Sequence, residues 1–174
     1  MSDQLTHSQS SFTRKEFPIV LLLDNVLSEA NLGSMFRLAD AFGIQKIIFC
    51  GSEPNLNSNR LKRTARNTFK TVSHEYFENP EEVLAQLKKQ DFISLALEIT
   101  ATSKPVHDLA IENNQQIVLV AGNERHGITR EVLELCDEQI HIDMYGENSS
   151  MNVAQSVGIA LYEITKGFNK FDKK

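Results

Sequence analysis

Four continuous apolar runs constrain this chain more than any other feature: "FPIVLLLDNV" from Phe17, "KIIFCG" from Lys46, "DFISLALE" from Asp91 and "QIVLVAG" from Gln116. Each is far shorter than the roughly 20 residues needed to cross a bilayer. None alternates polar with apolar, so each reads as a strand buried on both faces. Between them the period changes. Leu32, Met35, Phe36 and Ala39 fall at helical spacing from about Ala30 to Phe42, with Gly43 as the stop. "NPEEVLAQLKKQ" opens with Asn79 as a cap, Pro80 at the first helical position and acids in the first turn. "TREVLELC" reads as a further helix, and a closing helix carries Val153, Val157, Ala160, Leu161 and Ile164 on one stripe. "TVSHEYF" and "EQIHIDM" are shorter strands, and a short element spans Val106 to Leu109. Strands alternating with helices predict an α/β fold, a mostly parallel sheet flanked by helices. At 174 residues one domain suffices, over 17–174, preceded by a polar, mobile arm over 1–16.

Charge and cysteine content narrow the function classes. A net charge of −5 argues against diffuse binding of nucleic acid, which works by neutralising phosphates. The basic residues are concentrated, however: "NRLKRTARNTFK" holds Arg60, Lys62, Arg63, Arg66 and Lys70 with no acid among them. Taken alone, that stretch is equally a solvated face. Cys50 and Cys136 have no metal-ligand spacing and read as small buried hydrophobes of a reducing compartment, the cytoplasm. No apolar run suits a membrane span, and no signal peptide is expected.

In parallel sheets ligands bind beyond the carboxyl ends of the strands. Three loops there carry the chemistry: "DNVLSEANLGSMFR", "VAGNERHGI" and "MYGENSSMN". In the first, Asn31 can cap the helix and favour an anion at its start. Arg37 stands four residues after Gly33, and a helical side chain leans toward the preceding turn. A residue without a side chain there lets the guanidinium lie close to the backbone, or lets another backbone approach. The second loop has Gly122 and Gly127 at the ends of a turn, with Glu124 able to accept hydrogen bonds from a ligand or a neighbouring loop, or to pair with Arg125 or Arg37. The third supplies Ser149, Ser150 and Asn152, more short polar groups than one helix cap requires. His74, His107, His126 and His141 match no metal site or nucleophilic dyad, and His141 reads as a partly exposed strand residue. No metal is expected.

Taken in order, the three loops resemble the SpoU (TrmH-type) family of SPOUT RNA methyltransferases. The first motif, N-x-G-x-x-x-R, appears as Asn31, Gly33 and Arg37; the second as "VLVAGNERHGI"; the third as "IDMYGENSSMNVAQSVGIALYE". The resemblance implies a deep C-terminal trefoil knot and a homodimer that binds S-adenosyl-L-methionine. It implies a donor site at Leu97 and the loop after "SLALE", and at Gly122, Ile142, Met144, Met151, Asn152 and Val153, contacting the donor largely through backbone groups. It also implies transfer of a methyl group to a ribose 2′-hydroxyl of tRNA or rRNA. Arg37, Asn31, Glu124, Ser150 and Asn152 are then the expected catalytic set. A guanidinium is a poor base, so Arg37 is read as a clamp on the neighbouring phosphate that also stabilises alkoxide charge. Arg60, Lys62, Arg63, Arg66 and Lys70 are the expected RNA-binding residues.

The chain departs from the family pattern at Asp143, where proline is usual, at Met151, where leucine is usual, and in its arginine-rich "RLKRTARNTFK". With no separate N-terminal RNA-binding domain expected, the catalytic dimer itself must hold the RNA, and a compact tRNA suits that better than a large rRNA precursor. The alternatives are the same reaction on rRNA, a catalytically silent RNA-binding knot protein and a small-molecule α/β enzyme.

Overall fold

The computed structural model describes residues 13–170. Residues 1–12 of the arm expected over 1–16, and the last residues, 171–174, lie outside them; residues 13–16 are exposed and take no regular structure. Seven strands form one sheet, and every recorded pairing is parallel. They are β1 (Phe17–Asp24), β2 (Ile44–Cys50), β3 (His74–Phe77), β4 (Phe92–Leu97), β5 (Lys104–Pro105), β6 (Gln116–Ala121) and β7 (Glu138–His141), in the spatial order β3-β2-β1-β6-β4-β7-β5. Five α-helices lie among the described residues: α1 (Glu29–Ala41), α2 (Asn59–Ala65), α3 (Pro80–Lys88) and α4 (Arg130–Leu135) between strands, and α5 (Val153–Phe168) after the last one.

The continuous apolar runs are explained by a core on each face of the sheet. Ile19, Leu21 and Leu23 of β1 point to one side with Ile47, Phe49, Ile117 and Leu119, beneath Met35 and Phe36 of α1 and Val157, Leu161 and Ile164 of α5. Val20 and Leu22 point to the other with Ile48, Val118 and Val120, beneath Val83, Leu84 and Leu87 of α3 and Val132 of α4. Each such side chain, fully buried, contributes about 1.5–3 kcal/mol before entropy is counted. A strand with apolar residues at every position is therefore used on both sides.

Gly33 is not chiefly clearance for Arg37. A Cβ there would lie 2.7 Å from the Leu61 carbonyl oxygen, 2.8 Å from Thr64 Cβ and 3.0 Å from the Ala65 nitrogen. The missing side chain lets the backbone of α2 approach α1, so this glycine seats the basic segment against the first motif's helix. Asn31 is not the cap either. The N-cap is Ser28, and Asn31 lies inside α1 with its side chain turned to other loops.

Several boundaries shift for physical reasons. β3 starts at His74, because the Thr71 and Val72 N–H groups bond back to the Thr68 carbonyl, at 3.0 and 2.9 Å, closing a 3-10 turn over Thr68–Lys70. β7 ends at His141, because Ile142 and Met144 leave the sheet to form a cavity wall. The two-residue β5 is too short to leave a periodic signal. Its position matters nonetheless: β7 lies between β4 and β5, which are joined by residues 98–103. Leu97 and Lys104 thus flank Ile140 at the same level, with the connecting loop at the carboxyl end of the intervening strand.

Candidate active site

A cavity of about 370 Å³ opens at the carboxyl ends of β4, β6 and β7. Each expected donor-site residue lines it: Leu97, Gly122, Ile142, Met144, Met151, Asn152 and Val153. Glu124 and Ser150 also belong to its wall. Asn31 does not reach the cavity but is bonded to two residues that do.

That bonding links the three loops. Asn152 Nδ2 donates to Asn31 Oδ1 at 2.9 Å, and Asn31 Nδ2 donates to Glu124 Oε1 at 2.9 Å. Glu124 also accepts the backbone N–H of Ser28 at 2.9 Å and of Leu27 at 3.3 Å, so its carboxylate holds the entry to α1. An anion at a helix start is favoured by the macrodipole as well as by these donors. Asn152 meanwhile caps α5, its Oδ1 accepting from the Ala154 and Gln155 nitrogens at 3.0 and 3.3 Å. One asparagine therefore fixes two helix starts relative to each other. Burial pushes the Glu124 carboxyl up, but the bonds from Asn31 and from the backbone of Glu124, Ser28 and Leu27 outweigh it and hold the group below 4.5. No ion pair joins Glu124 to Arg125 or Arg37 among the described residues; its role toward the neighbouring loop is the one realised.

The second loop is built on glycine. The Asn123 and Gly127 N–H groups each donate to the other's carbonyl at 2.9 Å, closing a tight turn. Gly127 adopts φ +69°, and a Cβ there would collide with the Glu98 carboxylate. A Cβ on Gly122 would collide with the Gly127 carbonyl. Asp24, fully buried at the end of β1, accepts from the Thr129 nitrogen and hydroxyl, both at 2.8 Å, and so anchors the far end of this loop.

Arg37 is placed differently. It is exposed, stands outside the cavity wall and makes no hydrogen bond or ion pair among the described residues. It lies about one and two-thirds turns beyond Asn31, and one turn beyond Gly33 on the side where α2 packs. Arg60, Arg63 and Arg66 of α2 and its C-cap are exposed, Lys62 is half-buried, and Lys70 is exposed with its ammonium 5.9 Å from the Phe69 ring centroid. Gly33 thus brings the first motif's arginine and the basic segment together on one surface, next to the cavity but not inside it.

Residues outside the expected site set line the cavity as well: Glu98, Asn123, Arg125, His141 and Ser156. His141 Nδ1 lies 2.9 Å from Ser103 Oγ, which ties β7 to the loop after β4. Asp143, at the usual proline position, sits between two histidines, 3.4 Å from His141 and 3.7 Å from His107. Burial pushes both cysteine thiols up to about 12, so neither supplies a thiolate near neutral pH.

A parallel sheet with a cavity at its carboxyl edge, walled by the loops after β4, β6 and β7, defines an α/β protein with a ligand-sized site where such sheets usually hold one, and α2, which carries exposed basic residues, packs against α1 nearby. The chain belongs to the SpoU rRNA Methylase family, whose sequence model matches residues 18–162. It is 28% identical over 166 residues to a tRNA (guanosine(18)-2′-O)-methyltransferase of Aquifex aeolicus, covering 94% of this chain and 76% of that protein. To the 23S rRNA (guanosine-2′-O-)-methyltransferase RlmB of Neisseria meningitidis it is 29% identical, covering 85% of this chain and 58% of the relative. The crystal structure of the A. aeolicus TrmH/SpoU tRNA modifying enzyme superposes with a TM-score of 0.82 at 27% identity, over 91% of this chain and 79% of that one. AviRb of Streptomyces viridochromogenes, solved with AdoMet, shares the fold at a TM-score of 0.78 and 22% identity, over 96% and 65% of the two chains.

Proposed function

We propose that this protein is an S-adenosyl-L-methionine-dependent RNA methyltransferase acting on a ribose 2′-hydroxyl of tRNA. The observation that carries the reading is the direct hydrogen bonding of Asn31, Glu124 and Asn152, one from each motif, beside a cavity lined by the expected donor-site residues. Those residues fit the donor. Leu97, Ile142 and Met144 offer apolar surface for a flat base, and Gly122 allows close approach to backbone groups.

The donor, when bound, supplies an activated methyl group on a sulfonium. The protein's task is to place the 2′-oxygen in line with that methyl and to ease loss of its proton. Asn31, Glu124 and Asn152 fix the starts of α1 and α5, Ser150 offers a hydroxyl at the cavity wall for ribose positioning, and Arg37 clamps the adjacent phosphate. Its charge also stabilises the developing alkoxide. Arg60, Lys62, Arg63, Arg66 and Lys70 follow the backbone of the same RNA.

The proposal includes a homodimer, a trefoil knot and a cytoplasmic location. Ile159 and Tyr162, 38% and 57% exposed and three residues apart on α5, support an apolar face for self-pairing. The placement of β7 between β4 and β5 supports a chain threaded through the 98–103 loop, a topology otherwise exceptional. No helix among the described residues is long and apolar enough to cross a membrane.

The same reaction on rRNA is the second reading, favoured by the RlmB similarity. Nucleoside mass spectrometry of tRNA and 23S rRNA from cells lacking the gene separates the two. One 2′-O-methylated nucleoside should disappear from the tRNA fraction; loss from rRNA alone selects the second reading, and an unchanged profile in both counts against the reaction.

A further inference from the structure

Two carboxylates line the cavity, and they differ in what remains free on them. Glu124 already accepts three hydrogen bonds, from Leu27, Ser28 and Asn31, in holding the start of α1. Glu98, partly buried on the opposite loop, accepts one backbone N–H on each oxygen: Ile99 on Oε1 at 3.0 Å and Ile128 on Oε2 at 3.1 Å. An ionised carboxylate has about four acceptor sites, so one remains on each oxygen, at a cavity wall.

The group is also held in place. The Glu98 N–H donates to the Ile140 carbonyl at 2.9 Å. Its loop is tied to β7 by Thr100 and Thr102, which donate to Gln139 Oε1 at 2.6 and 3.0 Å, and by the Ser103–His141 contact. Gly127 lacks the Cβ that would collide with this carboxylate. Conformational freedom is therefore removed from Glu98 before any ligand arrives, which favours binding.

We infer that Glu98 is a donor-binding residue that accepts the vicinal 2′- and 3′-hydroxyls of the donor's adenosyl ribose. The inference rests on the proposed donor site and assigns a side chain to a part of the ligand otherwise left to backbone groups. Two adjacent hydroxyls match two adjacent oxygens, each with one open acceptor site. Leu97 and Ile142, on neighbouring strands, supply the apolar surface on which the attached base rests.

Isothermal titration of S-adenosylhomocysteine and its 2′,3′-dideoxy counterpart, into wild type, Glu98→Gln and Glu98→Ala, tests this. Wild-type protein should lose about 10- to 100-fold in affinity when the diol is removed, as expected for charge-assisted hydrogen bonds. Both variants should bind the full ligand about 10- to 100-fold more weakly than wild type, and should barely distinguish the two ligands. Glutamine preserves volume and one carbonyl acceptor, and a thermal melt reports whether each variant is folded. If the variants still discriminate the diol as wild type does, whatever their absolute affinity, the carboxylate only braces the loop and the assignment is overturned. If wild-type protein binds the full ligand but ignores the diol, the assignment fails while the donor site stands. If wild type binds neither ligand, the donor-site reading itself fails and takes the assignment with it.

Discussion

Arg37 has no described partner to neutralise it, although it belongs to the motif that also contributes Asn31. Its charge is available to an acceptor phosphate, so Arg37→Ala should lower methyl transfer by on the order of 100-fold or more. Donor affinity should stay within about twofold, since the residue stands outside the cavity wall. Equal loss of turnover and donor binding sinks the clamp. Glu124 contributes to the acid dependence of stability, alongside Asp137, which burial pushes up but bonds from Lys88 and Ser94 hold low. The folded pKa of Glu124 lies below 4.5, so its bonds stabilise the fold fully above the unfolded value and are lost as pH falls through the folded one. Glu124→Gln should therefore show a shallower drop in melting temperature than wild type as pH is lowered below about 4.5; an identical acid limb would contradict this. The letters of the motifs were legible in the sequence, but their bonding was not. Asn31 looked like a helix cap because asparagine at a helix start usually is one, whereas a partner 93 residues away claims its side chain. The sequence points to the loop after β4 at the donor site but singles out neither the Glu98 nor the Asp24 side chain, since a lone carboxylate at the end of an apolar run has no spacing to compare.

At the scale of elements the contact between α1 and α2 is decisive. Gly33→Ala would raise the intrinsic helix preference of α1 by up to about 1 kcal/mol. Against that, its Cβ would meet backbone and Cβ atoms at 2.7 and 2.8 Å, which cannot rotate away. Overpacking of this kind costs about 1–3 kcal/mol, so the variant should melt a few degrees lower, at about 2–4 °C per kcal/mol for a chain of this size. RNA affinity should fall with it, because α2 is displaced, while donor affinity is retained. A melting point at or above wild type would refute the packing argument. Apolar strands of the centre were readable because both their faces are buried. β5 and the ends of β3 and β7 were not, because two to four residues carry no period and their limits are set by turns and by the cavity.

For the whole molecule, topology was the least legible property. Nothing in the composition of Glu138–His141 says that it enters between β4 and β5, since pairing partners are chosen by the three-dimensional route of the chain. Charge distribution, in contrast, could be read directly and leads to a quantitative expectation. The protein is acidic overall, at −5, so RNA is repelled from most of its surface and admitted where cations are dense. Arg37, Arg60, Arg63, Arg66 and Lys70 are exposed on or near one helix pair. If about four of them meet phosphates, log K against log salt should have a slope of about −3 to −4. Arg60→Ala with Arg63→Ala should make that slope shallower by about 2, one for each lost phosphate contact, as measured by filter binding over a salt series. Donor titration should not change, because neither residue lines the cavity. An unaltered slope in the double variant would mean that RNA lies on another face. The close approach permitted by Gly33 would then serve stability alone, and the clamp assigned to Arg37 would lose its neighbouring cations.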